Sequence, residues 1–270
     1  MIRWRPAEPR WFFGFSLALA GMALLYADYQ LRFPFNPGTG YGLAFGIASA
    51  VLMTLALLLN LRKKLMFLPV GRTHYWYQLH IYGGTLSFVL MVMHSGGRVS
   101  GGIISWALMG LFLLVALTGF IGLFLQKYVP PALTSNLQVE ATFERVPALV
   151  SSIREEAEEF VKEASGIVRS FYEAEIAPDL AAPSPQISHL WNSAGDMPHK
   201  MALFDHTRLF LEPSEQVLLE DLREIYREKK EIDVQYSLQR ILRYWLLVHV
   251  PCSYALWVVV AIHVVSFFYY

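Results

Sequence analysis

Four histidines lie in two apolar segments of this 270-residue chain, with the same spacing in each segment. His80 and His94 are 14 residues apart, and so are His249 and His263. Fourteen residues are close to four turns of an α-helix. Both imidazoles of a segment therefore fall within roughly 40° of one face, about 21 Å apart along the axis. A lone histidine in such a segment is usually a polar packing residue, but two equal spacings indicate a common cause.

The segments that carry these histidines are predicted to be membrane spans. With 55% hydrophobic and 16% charged residues, the chain is too apolar for an ordinary soluble domain. The predicted fold class is all-α: a polytopic bundle of five transmembrane helices, with a mostly helical aqueous insertion between spans four and five. The predicted spans are residues 11–26, 41–61, 75–93, 102–125 and 245–268.

The charges separate an aqueous part from a membrane part. Residues 140–240 hold 20 of the 22 acidic residues and 11 Lys and Arg, a net charge of −9, whereas the remainder carries 2 acids and 11 bases, a net of +9. The predicted organisation is therefore spans one to four in residues 1–127, an acidic and mostly helical domain in 128–243 on the cytoplasmic side, and span five in 244–270. Pro130 and Pro131 are expected to end span four. Three further histidines are expected in exposed positions of the acidic domain: His189, His199 and His206.

Basic residues in the short loops predict the orientation. Most of them fall on the side of the amino terminus, against Arg32 and Arg98 on the other, so the amino terminus is placed in the cytoplasm. The chain is accordingly predicted to be an integral membrane protein, of a bacterial cytoplasmic membrane. Spans three and five then run in the same direction. Parallel helices pair the histidines in sequence order, His80 with His249 and His94 with His263.

Matched pairs of imidazoles on two helices are typical of axial ligation of haem iron. The single cysteine, Cys252, excludes an internal disulfide, a cysteine-ligated iron–sulfur cluster and a covalently attached c-type haem. We therefore expect two haem b groups, each iron taking one histidine from each helix. Gly83 and Gly84, one turn after His80, are expected to admit a porphyrin edge. Two arginines near the membrane surfaces are candidates for the haem propionates or, equally, for interfacial anchoring: Arg72 and Arg98.

The histidine segments resemble those of the membrane di-haem cytochromes b. Two helices that each carry His-x13-His occur in the cytochrome b of quinol:cytochrome c reductases, and a similar arrangement occurs in the transmembrane haem core of ferric reductases and NADPH oxidases. The resemblance covers the spans, about half of the chain, and implies low-spin haem b with His80, His94, His249 and His263 as axial ligands. The acidic insertion is foreign to the quinol-oxidising cytochrome b, and the sequence holds no Gly-x-Gly-x-x-Gly loop for a dinucleotide.

Three functions follow as hypotheses. The first is an electron-transfer subunit of an oxidoreductase complex, carrying electrons across the bilayer between a quinone pool or a soluble redox partner such as a cytochrome and a partner subunit. The second is a transmembrane reductase that delivers electrons to an external acceptor. The third, a metal or proton transporter that uses the histidines directly, is weakened because the predicted spans contain no Asp or Glu. Nothing in the sequence indicates binding to nucleic acid.

Overall fold

Every regular element that the structure describes is helical. The computed structural model describes residues 9–64, 71–99, 101–135, 143–162, 164, 166–190 and 195–269, and no strand lies in these ranges. The ten α-helices, with two π-helical segments and one 3-10 turn, are α1 Pro9–Arg32, α2 Gly40–Lys64, α3 Thr73–Gln78, π1 Leu79–Gly83, α4 Gly84–Ser95, α5 Ile103–Ser135, α6 Val146–Lys162, α7 Gly166–Phe171, π2 Tyr172–Ile176, α8 Ala177–Leu180, the 3-10 turn Ile187–Leu190, α9 Met197–Arg208 and α10 Pro213–Tyr269.

Four helical segments are long and apolar enough to cross a membrane: Pro9–Arg32, Gly40–Arg62, Ile103–Val129 and a window within Pro213–Tyr269. They correspond to four of the five predicted spans. The remaining one, predicted at 75–93, lies in α3, π1 and α4, which follow one another without a break from Thr73 to Ser95. The π-helical segment π1 was not predicted; its wider turn contains His80 and changes the direction in which this side chain leaves the helix.

Two boundaries differ from the predictions. Pro130 and Pro131 do not end span four, because α5 continues to Ser135. A proline φ is compatible with helical backbone, so the helix can continue at the cost of missing hydrogen bonds. The sequence also predicts helices at 214–230 and 232–242, the second running into span five. In the structure there is no break between them, and both belong with span five to one helix, α10, which contains Pro251.

The chain divides into two compact units. The first comprises residues 1–120 and 248–270, and the second residues 121–247. In the first unit α2 packs closely on α4, where Ser49 and Ser87 are both buried. Each serine hydroxyl donates to the main-chain carbonyl of the other, at 2.8 and 2.9 Å. Small side chains and reciprocal hydrogen bonds let the two backbones approach, as is typical of helices packed in membranes.

The second unit has a hydrophobic core of its own. The amphipathic helix α6 presents Val150, Ile153 and Ala157 to this core, and the acidic residues of the same helix lie outside. The first half of α10 contributes Leu222 and Tyr226. Within this unit, apolar side chains are therefore buried and the acidic face of α6 is outside.

Candidate functional site

The first unit brings the four predicted histidines together as two facing pairs. The ring centroids of His80 and His249 are 6.2 Å apart with an interplanar angle of 79°. Those of His94 and His263 are 6.4 Å apart with an angle of 78°. These are the pairs that sequence order predicted. The part of α10 that carries His249 and His263 therefore runs parallel to the segment Thr73–Ser95.

The separation of the rings fits one metal ion between each pair. A metal about 2 Å from the near nitrogen of two opposed imidazoles, on the line between them, places the ring centroids about 6.3 Å apart. Both pairs are within 0.1 Å of this distance. No group of three or more His, Cys, Asp or Glu side chains that could hold a metal occurs among the described residues. A haem supplies the remaining four nitrogens itself, so two imidazoles complete its iron.

Two of the rings are oriented by main-chain carbonyls of α2. The Nδ1 atom of His80 is 2.9 Å from the carbonyl oxygen of Ala56, and that of His94 is 2.9 Å from the carbonyl oxygen of Gly42. A carbonyl only accepts, so each Nδ1 carries the proton and donates it. The lone pair of each ring is then at Nε2, the state that a metal ligand requires.

The third ring is oriented by a hydroxyl. The Nδ1 atom of His249 is 2.9 Å from Oγ1 of Thr118 in α5, and both residues are buried at 8% exposure. For His263 no hydrogen bond to another described residue is present. Three of the four imidazoles are thus fixed at the nitrogen that would not bind the metal, a common arrangement around metal-binding histidines.

Glycines of α2 make room for His94. A Cβ atom at Gly46 would lie 2.7 Å from Nδ1 of His94, which no real side chain tolerates without movement. Small residues spaced as in α2 are typical of close helix packing. In the structure Gly42 supplies the acceptor and Gly46 the space for a candidate ligand. The signal in the sequence was the Gly-x3-Gly step, but it carried no information about what packs there.

Thr118 was not among the predicted site residues. Its signal was available, because Thr118 is a single hydroxyl residue deep inside the apolar helix α5. Its neighbour Gly119 also lies next to the site: a Cβ atom there would be 3.7 Å from Cε1 of His249, an ordinary contact.

The predicted glycines and arginines of the site lie near the histidines in sequence, but their surroundings in the structure differ. A Cβ atom at Gly83 would contact Leu79 and Leu52, whereas one at Gly84 would have no atom within 4 Å. Gly84 therefore borders open space. Arg72, immediately before α3, and Arg98, just beyond α4, are both exposed, so they can reach a propionate or a lipid headgroup. Two arginines that precede span five in sequence lie in the second unit: Arg240, over the ring of Tyr244, and Arg243, in an ion pair with Glu144.

An open apolar groove of about 360 Å³ lies beside the segment that holds His80. Trp11 and Tyr82 stack at one side of it, with ring planes 5° apart. The groove is lined by Arg10, Trp11, Gly14, Phe15, Leu52, Leu79, Tyr82, Gly83 and Leu86. Its volume is in the range of small-molecule sites.

The second unit contains a buried histidine that was predicted to be exposed. His189 is 8% exposed, and its Nδ1 is 2.9 Å from Oγ of Ser237. Burial lowers the pKa of His189 below its usual value. The correction arises because the Ser184–Leu190 segment hydrogen-bonds to α10, a tertiary contact that sequence spacing does not reveal. His199 and His206 are exposed.

A buried ion pair anchors the same segment. Nζ of Lys229 is 2.6 Å from Oδ2 of Asp233, and both side chains are almost fully buried. The other carboxylate oxygen of Asp233 accepts the amide hydrogen of Ser184 at 2.9 Å. Burial raises the pKa of Asp233, while the neighbouring Lys229 ammonium opposes this rise. The pair is part of the framework of the second unit.

Comparison with protein-family models, with curated proteins and with solved structures finds no match to this chain.

Proposed function

We propose that this protein is a di-haem b-type membrane cytochrome that moves electrons across a bilayer as a subunit of an oxidoreductase complex. One observation carries the proposal: two pairs of histidines, at the two ends of one pair of parallel helical segments, each face one another at the distance that a bis-imidazole iron requires. In this proposal the segment Thr73–Ser95 is span three, which completes a set of five spans, and the acidic residues 128–243 form the aqueous insertion. The amino terminus lies in the cytoplasm.

The residues of the chain hold and orient; they do not react with substrate. His80 and His249 would ligate one haem, and His94 and His263 the other. A haem bound in this way takes up and releases one electron at its iron. The Nδ1 hydrogen bonds to Ala56, Gly42 and Thr118 would hold three of the rings in one rotamer, with the Nε2 lone pair available to iron.

The distance between the two proposed haem sites covers most of the thickness of the bilayer. Their ligands are separated by 14 residues of helix, about 21 Å of the roughly 30 Å hydrocarbon core. Haems held by the two pairs would provide two redox centres at different depths, between which an electron could pass. The direction of flow follows from the potentials of the partners, since crossing costs about 2.3 kcal/mol per 100 mV.

The apolar groove next to π1 favours a quinone pool as one of the electron partners. Its volume, its stacked aromatic side chains and Arg10 in its lining suit a ring with an apolar tail and polar oxygens. In this proposal quinone or quinol exchanges electrons at the level of His80. A soluble cytochrome or a further subunit serves the other face. A transmembrane reductase with an external acceptor is the second candidate, because it uses the same paired histidines.

The test is a dithionite-reduced minus oxidised absorption spectrum of the purified chain, with haem quantified as the pyridine haemochrome. We expect two haems b per chain. We expect one haem per chain after His80→Ala, and one after His94→Ala, because each substitution removes one ligand of one pair. A flat spectrum from membranes that can make haem contradicts the proposal. In that case a metal-dependent flux into liposomes would favour the transporter.

A further inference from the structure

The four candidate ligands differ in what accepts the proton of their Nδ1 atom. For His80 and His94 the acceptor is a main-chain carbonyl of α2, which side-chain substitution does not remove. For His249 it is the side-chain hydroxyl of Thr118. Thr118 is therefore the position at which a change of side chain can alter the hydrogen bond of a candidate ligand.

The direction of this hydrogen bond follows from the other contacts of the threonine. Its Oγ1 atom lies 2.8 Å from the carbonyl oxygen of Leu114 and 3.1 Å from that of Val115. Carbonyls only accept, so the hydroxyl hydrogen of Thr118 points to the helix backbone. The oxygen is left with a lone pair that faces Nδ1 of His249. His249 therefore donates, its lone pair is at Nε2, and the ring of His80 lies 6.2 Å away between centroids.

A hydrogen bond at the distal nitrogen makes an imidazole a stronger donor to its metal. A stronger donor stabilises the oxidised iron more than the reduced iron. The bond is buried, with both residues at 8% exposure, so water does not compete for it. Gly119, next to Thr118, places no side chain against the same ring.

We propose that Thr118 is a positioning residue that holds His249 and lowers the reduction potential of the haem ligated by His80 and His249. This inference rests on the proposed function. We expect the haem at His94 and His263 to be unaffected, because its ligands lie 14 residues, about 21 Å of helix, from those that Thr118 adjoins. Thr118 thus separates the potentials of the two haems without altering their ligand sets.

The test uses Thr118→Val, which keeps the shape and removes the hydroxyl, and Thr118→Ser, which keeps the hydroxyl. Each purified protein is titrated potentiometrically, and both haems are followed by their absorption. In T118V we expect one of the two potentials to become more positive, by a roughly tenfold change in the redox equilibrium, or about 59 mV for one electron. The other potential stays unchanged, and T118S behaves like the wild type.

Thr85→Val is the matched control. Thr85 also bonds to its own helix, at 2.8 Å from the carbonyl oxygen of Ile81. Its hydroxyl is not bonded to any of the four histidines, so T85V should leave both potentials in place. A T118V protein with two haems and unchanged potentials overturns the inference. If T118V binds one haem, Thr118→Cys, with a weaker acceptor, carries the test, and the absence of a positive shift there overturns it too. A wild-type chain without haem would instead contradict the proposed function.

Discussion

His249 in the first unit and His189 in the second are buried in the same way and yet differ in what they can do. Each is 8% exposed, and each has its Nδ1 2.9 Å from a side-chain hydroxyl, Thr118 or Ser237. Beyond the ring of His249 lies the imidazole of His80. Among the described residues no second imidazole contacts the ring of His189. Beyond its Nε2 lies Gly195, whose absent Cβ would be 3.9 Å away.

This difference shows that burial and a fixed orientation do not by themselves identify a metal ligand. A desolvated histidine with a fixed tautomer satisfies a polar core as well as it satisfies a metal site. The decisive feature is a second imidazole at about 6.3 Å, because this distance leaves room for an ion and for nothing larger along the axis. Charge marks the same contrast. Lys229, Lys230 and Asp233 influence His189, whereas His249 has the hydroxyl of Thr118 on one side and the imidazole of His80 close by.

The largest expected effect is a difference in haem content between substitutions of His249 and His189. We expect His249→Ala to reduce the haem content from two per chain to one, because the iron loses an axial ligand. His189→Ala should keep two. Haem content is measured as the pyridine haemochrome in proteins purified side by side. Loss of haem in H189A, or two haems retained in H249A, would show that the paired geometry does not identify the ligands.

The second expected effect concerns the space that Gly46 leaves for the imidazole of His94. A Cβ atom at Gly46 would lie 2.7 Å from Nδ1 of His94 and occupy the approach to its acceptor, Gly42. We expect Gly46→Val to deplete the haem at His94 and His263 and to leave the other in place. Optical redox titration should therefore show one component where the wild type shows two.

Gly21→Val is its control, since a Cβ atom there has open space within 4 Å. Equal loss of both haems in G46V would indicate general unfolding rather than displacement of His94, and would contradict the local role of Gly46.

The pairing of the four histidines was predictable from the sequence because it depends only on the helical spacing and on the direction of two segments. A spacing of four helical turns in two segments, together with their parallel direction, leaves one way to pair His80, His94, His249 and His263. The partners of their Nδ1 atoms were not predictable in this way. They lie on α2 and α5, and contacts between helices depend on the rotation of each helix about its own axis. The apolar composition of these spans leaves that rotation undetermined. Hence the sequence alone does not connect Thr118 with His249 or Gly46 with His94.

The second unit was harder to predict for a different reason. Its helices follow from amphipathic periodicity, as in α6, but His189 lies in a proline-rich stretch without a regular pattern. Its burial depends on Ser184 and Gln186, whose amides donate to Asp233 and Ser237 on α10. Hydrogen bonds that link residues about 50 positions apart leave no periodic signature in sequence. Polarity and proline content favoured exposure, and tertiary contacts overrode both.

A third prediction concerns the pH dependence of the His189 contact. Burial lowers the pKa of His189 in the folded state, so the unfolded segment binds a proton more readily. The stabilisation by His189 is therefore complete above its ordinary pKa of about 6.5 and is lost as the pH falls towards the lowered value. We expect His189→Ala to cost about 1–3 kcal/mol at pH 8 and less at pH 5.5.

Hydrogen exchange of amides in residues 184–190, compared between the two proteins at each pH, measures this difference. Comparison at equal pH removes the intrinsic pH dependence of exchange. A difference in protection that is the same at both pH values would contradict the shifted pKa. The haem content of H189A should remain unchanged throughout.

The smallest effect is expected at Gly119. A Cβ atom there would lie 3.7 Å from Cε1 of His249, an ordinary van der Waals contact, whereas the same atom at Gly46 would overlap the ring of His94. Gly119→Ala should therefore keep both haems and shift the potential of the His249 haem less than Thr118→Val does. Alanine also favours helix by up to about 1 kcal/mol, which should hold α5 in place. Optical redox titration of G119A beside Gly46→Ala tests the comparison. An effect in G119A as large as that in G46A would mean that both rings depend on steric fit to the same degree, and that hydrogen bonding to Thr118 does not dominate the environment of His249.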